Sequence, residues 1–210
     1  TEATFGLPVF RHPPPMQETG KLLRSLEQFP ERTHLVGAYP LGKAQRVIRL
    51  LRDAGYDAPV HLHGAMVALT DLYRRRGVDL GDVRPLDPGD RTTAARGGVV
   101  LCPPSAATDR WARRFSDPVV AFASGWMGVR ARARQRGVEL PLVISDHVDW
   151  DELTAAVDAT GCATLWVTHG QEDALVHWAR GSRGLDARPL RLLGYGEDGD
   201  AEAAAAPPPP

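Results

Sequence analysis

Two histidines stand where a parallel sheet would put reactive groups. His147 lies in Ser145-Asp146-His147-Val148-Asp149-Trp150, after the apolar run Leu142-Val143-Ile144. His169 lies in Thr168-His169-Gly170, after Leu165-Trp166-Val167. Each follows a strand-like run and precedes a helical pattern. Side chains just past the carboxyl ends of strands line the working edge of open α/β sheets. A histidine there can ligate a metal or move a proton near neutral pH. Either ring could equally do no more than hydrogen-bond its own loop. Two of them, with the carboxylates Asp146 and Asp149 adjacent, keep the chemical reading open beside the structural one.

Other residues suggest contact with an anion. Arg130, Arg132, Arg134 and Arg136 alternate along the chain shortly after Trp126. In an extended chain they would share one face and could track phosphates, with Trp126 stacking on a base. In a helix they would spread apart, and the run would be a solvated surface. Lys43 follows Gly42 at an expected helix start, where backbone N–H groups and a cation can hold a phosphate; an ordinary solvated helix lysine is the other reading. His61-Leu62-His63 has the spacing of a metal motif. Ala65 and Met66 follow it where further ligands would be needed, so His63 reads as a turn histidine before Gly64.

The elements expected to position these residues alternate in type. Strands are expected over 33–39, 60–62, 98–102, 119–122, 142–145, 164–168 and 188–193. Helices are expected over 43–54, 65–76, 108–115, 150–160 and 172–180. The helix from Trp150 has the clearest signature: Asp149 as N-cap, Glu152 three residues on, and Gly161 just past the end. This alternation specifies an α/β fold with a largely parallel or mixed sheet. The alanine- and proline-rich stretch 197–210 cannot bury a core and reads as a disordered tail or linker.

Bulk properties set the limits. The chain has 210 residues, 43% hydrophobic and 24% charged, with a net charge of -1, so any nucleic-acid surface must be a local basic cluster. No apolar run nears the roughly 20 residues that span a bilayer. The two cysteines, Cys102 and Cys162, lack ligand spacing and read as small core residues in a reducing, cytoplasmic setting. The sequence opens on Thr1 and reads as a piece of a longer chain.

Several of these stretches resemble motifs of the metallo-β-lactamase/β-CASP nucleases. Thr1-Glu2-Ala3-Thr4-Phe5-Gly6 is similar to motif A of that family, Ser145-Asp146-His147-Val148-Asp149-Trp150 to motif B, and Val167-Thr168-His169-Gly170 to motif C. Leu41-Gly42-Lys43-Ala44-Gln45 is similar to a further family segment. Pro103-Pro104-Ser105-Ala106 and Ser124-Gly125-Trp126-Met127 look like the branch that accompanies bacterial ATP-dependent DNA ligases. The resemblance implies a β-CASP α/β domain inserted in a metallo-β-lactamase αββα sandwich, of which only the C-terminal part is present. Residues 1–6 would end one sandwich segment, 7–140 would form the β-CASP domain, and 141–196 would return to the sandwich.

The implied roles follow residue by residue. His147 would protonate the leaving oxygen of a scissile phosphodiester. Glu2 would orient His147 and pair with its charged form. His169 would be one ligand of a two-zinc centre, and Lys43, Ser105, Trp126, Arg130 and Arg132 would contact substrate. The family's main His-x-His-x-Asp-His zinc motif is absent from this sequence, and one histidine cannot make a site that needs about four ligands. The implied activity is zinc-dependent exonuclease processing of DNA ends in repair, with DNA and an ATP-dependent DNA ligase as partners and no membrane. An RNA-processing nuclease and a non-catalytic α/β nucleotide- or nucleic-acid-binding module are the alternatives.

Overall fold

The structure, a computed structural model, describes residues 1–86 and 95–190. Along the chain these form β1 (Glu2–Ala3), α1 (Pro15–Gln28), β2 (His34–Gly37), α2 (Lys43–Asp53), β3 (Val60–Leu62), α3 (Gly64–Arg75), β4 (Val83–Pro85), β5 (Val99–Cys102), β6 (Val119–Ala123), α4 (Arg130–Gln135), β7 (Leu140–Leu142), α5 (Trp150–Thr160), β8 (Thr164–Gly170), α6 (Glu172–Arg183) and β9 (Asp186–Pro189). Short 3-10 turns cover Arg110–Arg114 and Gly125–Gly128. The fold is α/β with parallel sheets. The expected tail 197–210 and the last three residues of the expected strand 188–193 lie outside the described residues.

The chain divides into two compact units, His12–Asp146 and Thr1–Arg11 with His147–Pro210. The larger holds a six-stranded, wholly parallel sheet in the order β4-β3-β5-β2-β6-β7. Its central strands β2 and β5 are buried at every residue, as a sheet covered on both faces requires. Helix α2 turns Ala44, Val47, Ile48 and Leu51 inward, the face its 3.6-residue period specifies. These join Val36, Val60, Leu101, Ala121 and Leu142 in the main core. All six strands are parallel, so the loops after β2, β3, β5, β6 and β7 leave from one edge of this sheet.

The smaller unit is a three-stranded parallel sheet, β1-β8-β9, packed with α5 and α6. Asp149 caps α5 by accepting the Glu152 N–H at 3.0 Å, and Gly161 ends the helix with φ of 60°. Such a cap contributes about 1 kcal/mol.

Several expected elements fall elsewhere. The strand expected over 142–145 is β7, which starts earlier, at Leu140, and pairs with β6. Residues 141–146 therefore pack in the larger unit, with Leu142 and Ile144 in its core. The stretch 108–115 makes only a 3-10 turn. The alternating arginines lie on a helix, α4, because Ala133 packs against Phe122, Met127 and Val143 on one side. Cys102 is fully buried, and burial pushes its thiol up to about 12, but Cys162 is only half-buried. Helix α1 and strands β1 and β4 have no counterpart in the sequence expectations.

His34 in β2 is completely buried. Its ring engages the Ser25 hydroxyl at 2.8 Å and the Arg32 carbonyl at 3.2 Å. Loss of hydration holds its pKa below the ordinary 6.5. On acidification the unfolded chain therefore takes up this proton first. The neutral ring's stabilisation is complete above the unfolded value, declines as pH falls below it, and levels off once the folded ring titrates. The melting temperature should fall between about pH 7 and about pH 5, and His34→Gln should flatten that slope. An equal slope in wild type and variant would refute this assignment.

Candidate functional site

The smaller unit brings residues from both ends of the sequence to one sheet end. β1 pairs with β8 so that Glu2 lies opposite Thr168 and Ala3 opposite Gly170. The Thr1 carbonyl accepts the Thr168 N–H at 2.9 Å, and the Ala3 carbonyl accepts the Gln171 N–H at 2.8 Å. Glu2 therefore sits beside the strand end that carries His169. Its Oε1 accepts a hydrogen bond from His147 Nδ1, and its Oε2 accepts the Thr4 hydroxyl at 3.3 Å. A carboxylate only accepts, so the Glu2 contact places a proton on Nδ1. Nε2 lies on the far side of the ring from that contact, and the His147 side chain is 45% exposed, open enough to meet a reactant.

The backing of this pair is apolar. Phe5 is 2% exposed, stacks edge-on with Phe10 at 5.3 Å, and presents its ring edge-on to His147 at 6.4 Å. The Phe10 carbonyl accepts the Trp150 N–H at 3.1 Å, tying this segment to the start of α5. Asp149, which sequence placed among the reactive carboxylates, is buried as the cap of that helix. Asp151 pairs at the surface with Arg11 at 2.8 Å.

His169 has a left-handed backbone, φ 61°, that few non-glycine residues adopt. Its N–H donates to Glu172 Oε1 at 2.8 Å, and its side chain is exposed. Gly170 follows with φ 87°. A Cβ there would stand 2.4 Å from the Ala3 carbonyl oxygen, so only glycine lets β8 turn this close to β1. Among the described residues no group of three or more His, Cys, Asp or Glu side chains could hold a metal ion. The donor set agrees: Glu2 is committed to His147, and His169 contributes one nitrogen. These residues do not by themselves fit the zinc centre the resemblance implies.

The remaining expected residues lie in the larger unit, in segments that follow the carboxyl ends of its strands. Lys43 is buried, and its ammonium lies 3.3 Å from Asp146. The solvated-lysine reading is thereby overturned, because an ammonium out of water needs a counter-charge. Arg46 donates to the Ser145 carbonyl and lies 3.8 Å from Asp146. Buried Glu18 accepts the Val143 N–H at 2.9 Å, with Lys21 Nζ 2.6 Å from its other oxygen. Three charged side chains of α1 and α2 thus hold the segment from Val143 to Asp146, Glu18 and Arg46 through its backbone and Lys43 through the Asp146 carboxylate. Sequence reasoning missed Glu18 and Arg46, as it missed Thr4 and Glu172.

Ser105 is exposed in the turn after β5. Trp126 is half-buried after β6, and the Arg132 guanidinium covers its ring at 3.7 Å. Arg132 is therefore occupied by Trp126, while Arg130 is exposed. His63 caps α3 through the Ala65 N–H at 3.0 Å, and His61 is buried within β3, so the His-x-His pair serves the fold.

No family model matches the chain. It is 27% identical, over its whole length, to a protein of Opitutus terrae named "Probable DNA ligase". The chain spans 20% of the length of that relative.

The β1–β8 closure yields a test. Gly170→Ala must resolve a clash with backbone as well as a left-handed φ, a strain of about 1–3 kcal/mol or more. Gly184→Ala has a similar φ of 65° and open space around it, so it should cost only about 1–2 kcal/mol. Chemical denaturation should rank Gly170→Ala as clearly the more damaging; equal effects would show that the close approach of Ala3 does not constrain the turn.

Proposed function

We propose that this chain is part of a nuclease that processes DNA ends, in which His147 is the proton donor and Glu2 its orienting carboxylate. The observation that carries this reading is the Glu2–His147 hydrogen bond at the end of a parallel sheet. With one ring nitrogen so fixed, the other is the one that would meet a phosphodiester. A protonated imidazole so held can give its Nε2 proton to the oxygen leaving phosphorus, and Glu2 balances the ring's charge before transfer. The motif resemblance at Glu2, His147 and His169 supports the same assignment. The choice of DNA over RNA rests on the name of the Opitutus terrae relative. The proposed ligase association rests on that name together with the motif resemblance at Pro103–Ala106 and Ser124–Met127.

Zinc enters this reading only as an outside requirement. His169 would supply one ligand, and three or so others would have to come from beyond the described residues. Zinc would supply hydroxide and charge stabilisation when bound. The protonation step assigned to His147 is independent of which residues complete the centre.

The test is end-labelled DNA incubated with zinc or manganese and either the full gene product or the 210-residue chain. The chain alone is expected to be inactive. In the full gene product, His147→Ala should lower single-turnover hydrolysis by roughly 10²–10⁴-fold. Its metal content should hold, whereas His169→Ala should reduce metal content. Hydrolysis indifferent to His147→Ala, or equal loss of metal in both variants, would overturn the proposed roles.

A further inference from the structure

Helix α4 carries three of the four alternating arginines, Arg136 follows at its end, and no acid lies nearby in sequence to meet them. From Gly125 to Val138 there is no Asp or Glu, and Glu139 is held by Arg32 at 2.7 Å. Several exposed arginines elsewhere are paired: Arg49 with Asp53 at 2.6 Å, Arg84 with Asp82 at 2.6 Å, and Arg183 with Asp158 at 2.7 Å.

Helical spacing sorts the four into two pairs, each one turn apart. Arg132 lies over Trp126 at 3.7 Å and Arg136 over Phe122 at 5.0 Å, so this pair folds back on aromatic rings. Arg130 and Arg134 make the other pair. Both are exposed, and neither forms an ion pair among the described residues. Like charges at this spacing destabilise a helix by about 0.2–0.5 kcal/mol per pair, and a six-residue helix has little stability to spare. An anion between the two guanidinium groups would relieve that repulsion.

We propose that Arg130 and Arg134 form a binding rail for the phosphodiester backbone of single-stranded nucleic acid, on the Trp126–Arg132 side of the larger unit. The proposal rests on the nucleic-acid reading above and names its binding surface. The two Cα positions are separated by about 6 Å of helix rise, suited to successive phosphates of one strand rather than to a single small anion. The carbons of Trp126 and the Arg132 plane stacked on it give an adjoining platform for bases. Arg130 and Arg134 replace Arg130 and Arg132 as the phosphate-binding pair, because Arg132 is occupied.

The experiment is a salt titration of the 210-residue chain binding a fluorescent oligothymidylate, with hydrolysis not read. Arg130→Gln/Arg134→Gln should reduce the slope of log affinity against log salt by about 1.4, some 0.7 for each phosphate that is no longer neutralised. Arg74→Gln/Arg75→Gln, at the opposite end of α3 from the carboxyl edge, should leave it unchanged. Thermal unfolding of the Arg130/Arg134 variant should hold or rise, since only repulsion is removed; a purely structural pair would lower it. An unchanged slope, a drop equal to the control's, or tighter binding of blunt duplex with the same slope change would overturn the proposal. Binding through this pair without any hydrolysis by the full gene product would sink the nuclease reading alone. Hydrolysis that needs His147 with an unchanged slope would sink this surface alone.

Discussion

Everything chemical in the smaller unit depends on two residues of backbone pairing. Glu2–Ala3 is too short to be a stable strand by itself, and its partner in β8 lies far along the sequence. What holds it is burial of Glu2's neighbours: Ala3 is fully buried, and Phe5 nearly so. Burying a Phe side chain contributes about 1.5–3 kcal/mol, enough to hold so short a strand in place. The Thr1 nitrogen adds a hydrogen bond to the Trp166 carbonyl at 2.8 Å. Without this pairing, Glu2 would leave His147, and the left-handed turn at His169–Gly170 would have no carbonyl to fold against.

The larger unit solves a different problem with charged groups in buried places. Buried Glu18 and exposed Arg46 hold the backbone at Val143 and Ser145, and buried Lys43 pairs with the Asp146 carboxylate. Buried ion pairs contribute little net stability once desolvation is counted, but removing one partner strands the other. Such groups are therefore better understood as fixing where a segment goes than as holding the fold together. The wholly parallel sheet then collects Lys43, Ser105, Trp126 and Asp146 in segments that follow the carboxyl ends of its strands, by topology alone.

What sequence can show depends on how local the signal is. Helix α5 has the expected bounds because its cap, its Glu152 and its terminal Gly161 all lie within one short stretch. β3 is legible as a short run between turn residues. Helix α1 is not, because its buried face includes Glu18, Thr19 and Ser25, which break the apolar period, and its start is hidden in a run of prolines. The solvated reading of Lys43 stands open in the sequence beside the phosphate-holding one because its counter-charge, Asp146, is distant there and near only in the fold. The alternating arginines fit strand and helix equally; the packing of Ala133 on Phe122 decides for the helix. The Glu2–His147 pair comes from motif resemblance, since no periodicity or spacing links positions so far apart.

At the centre stands the claim that Glu2 fixes the proton of His147 on Nδ1 so that Nε2 faces the reactant. Nitrogen-15 NMR of the imidazole side chains, in the wild-type chain and in Glu2→Gln, tests it directly. The neutral His147 ring should carry its proton on Nδ1 in wild type and lose that preference in the variant. A His147 ring with the same tautomer in both proteins would contradict it.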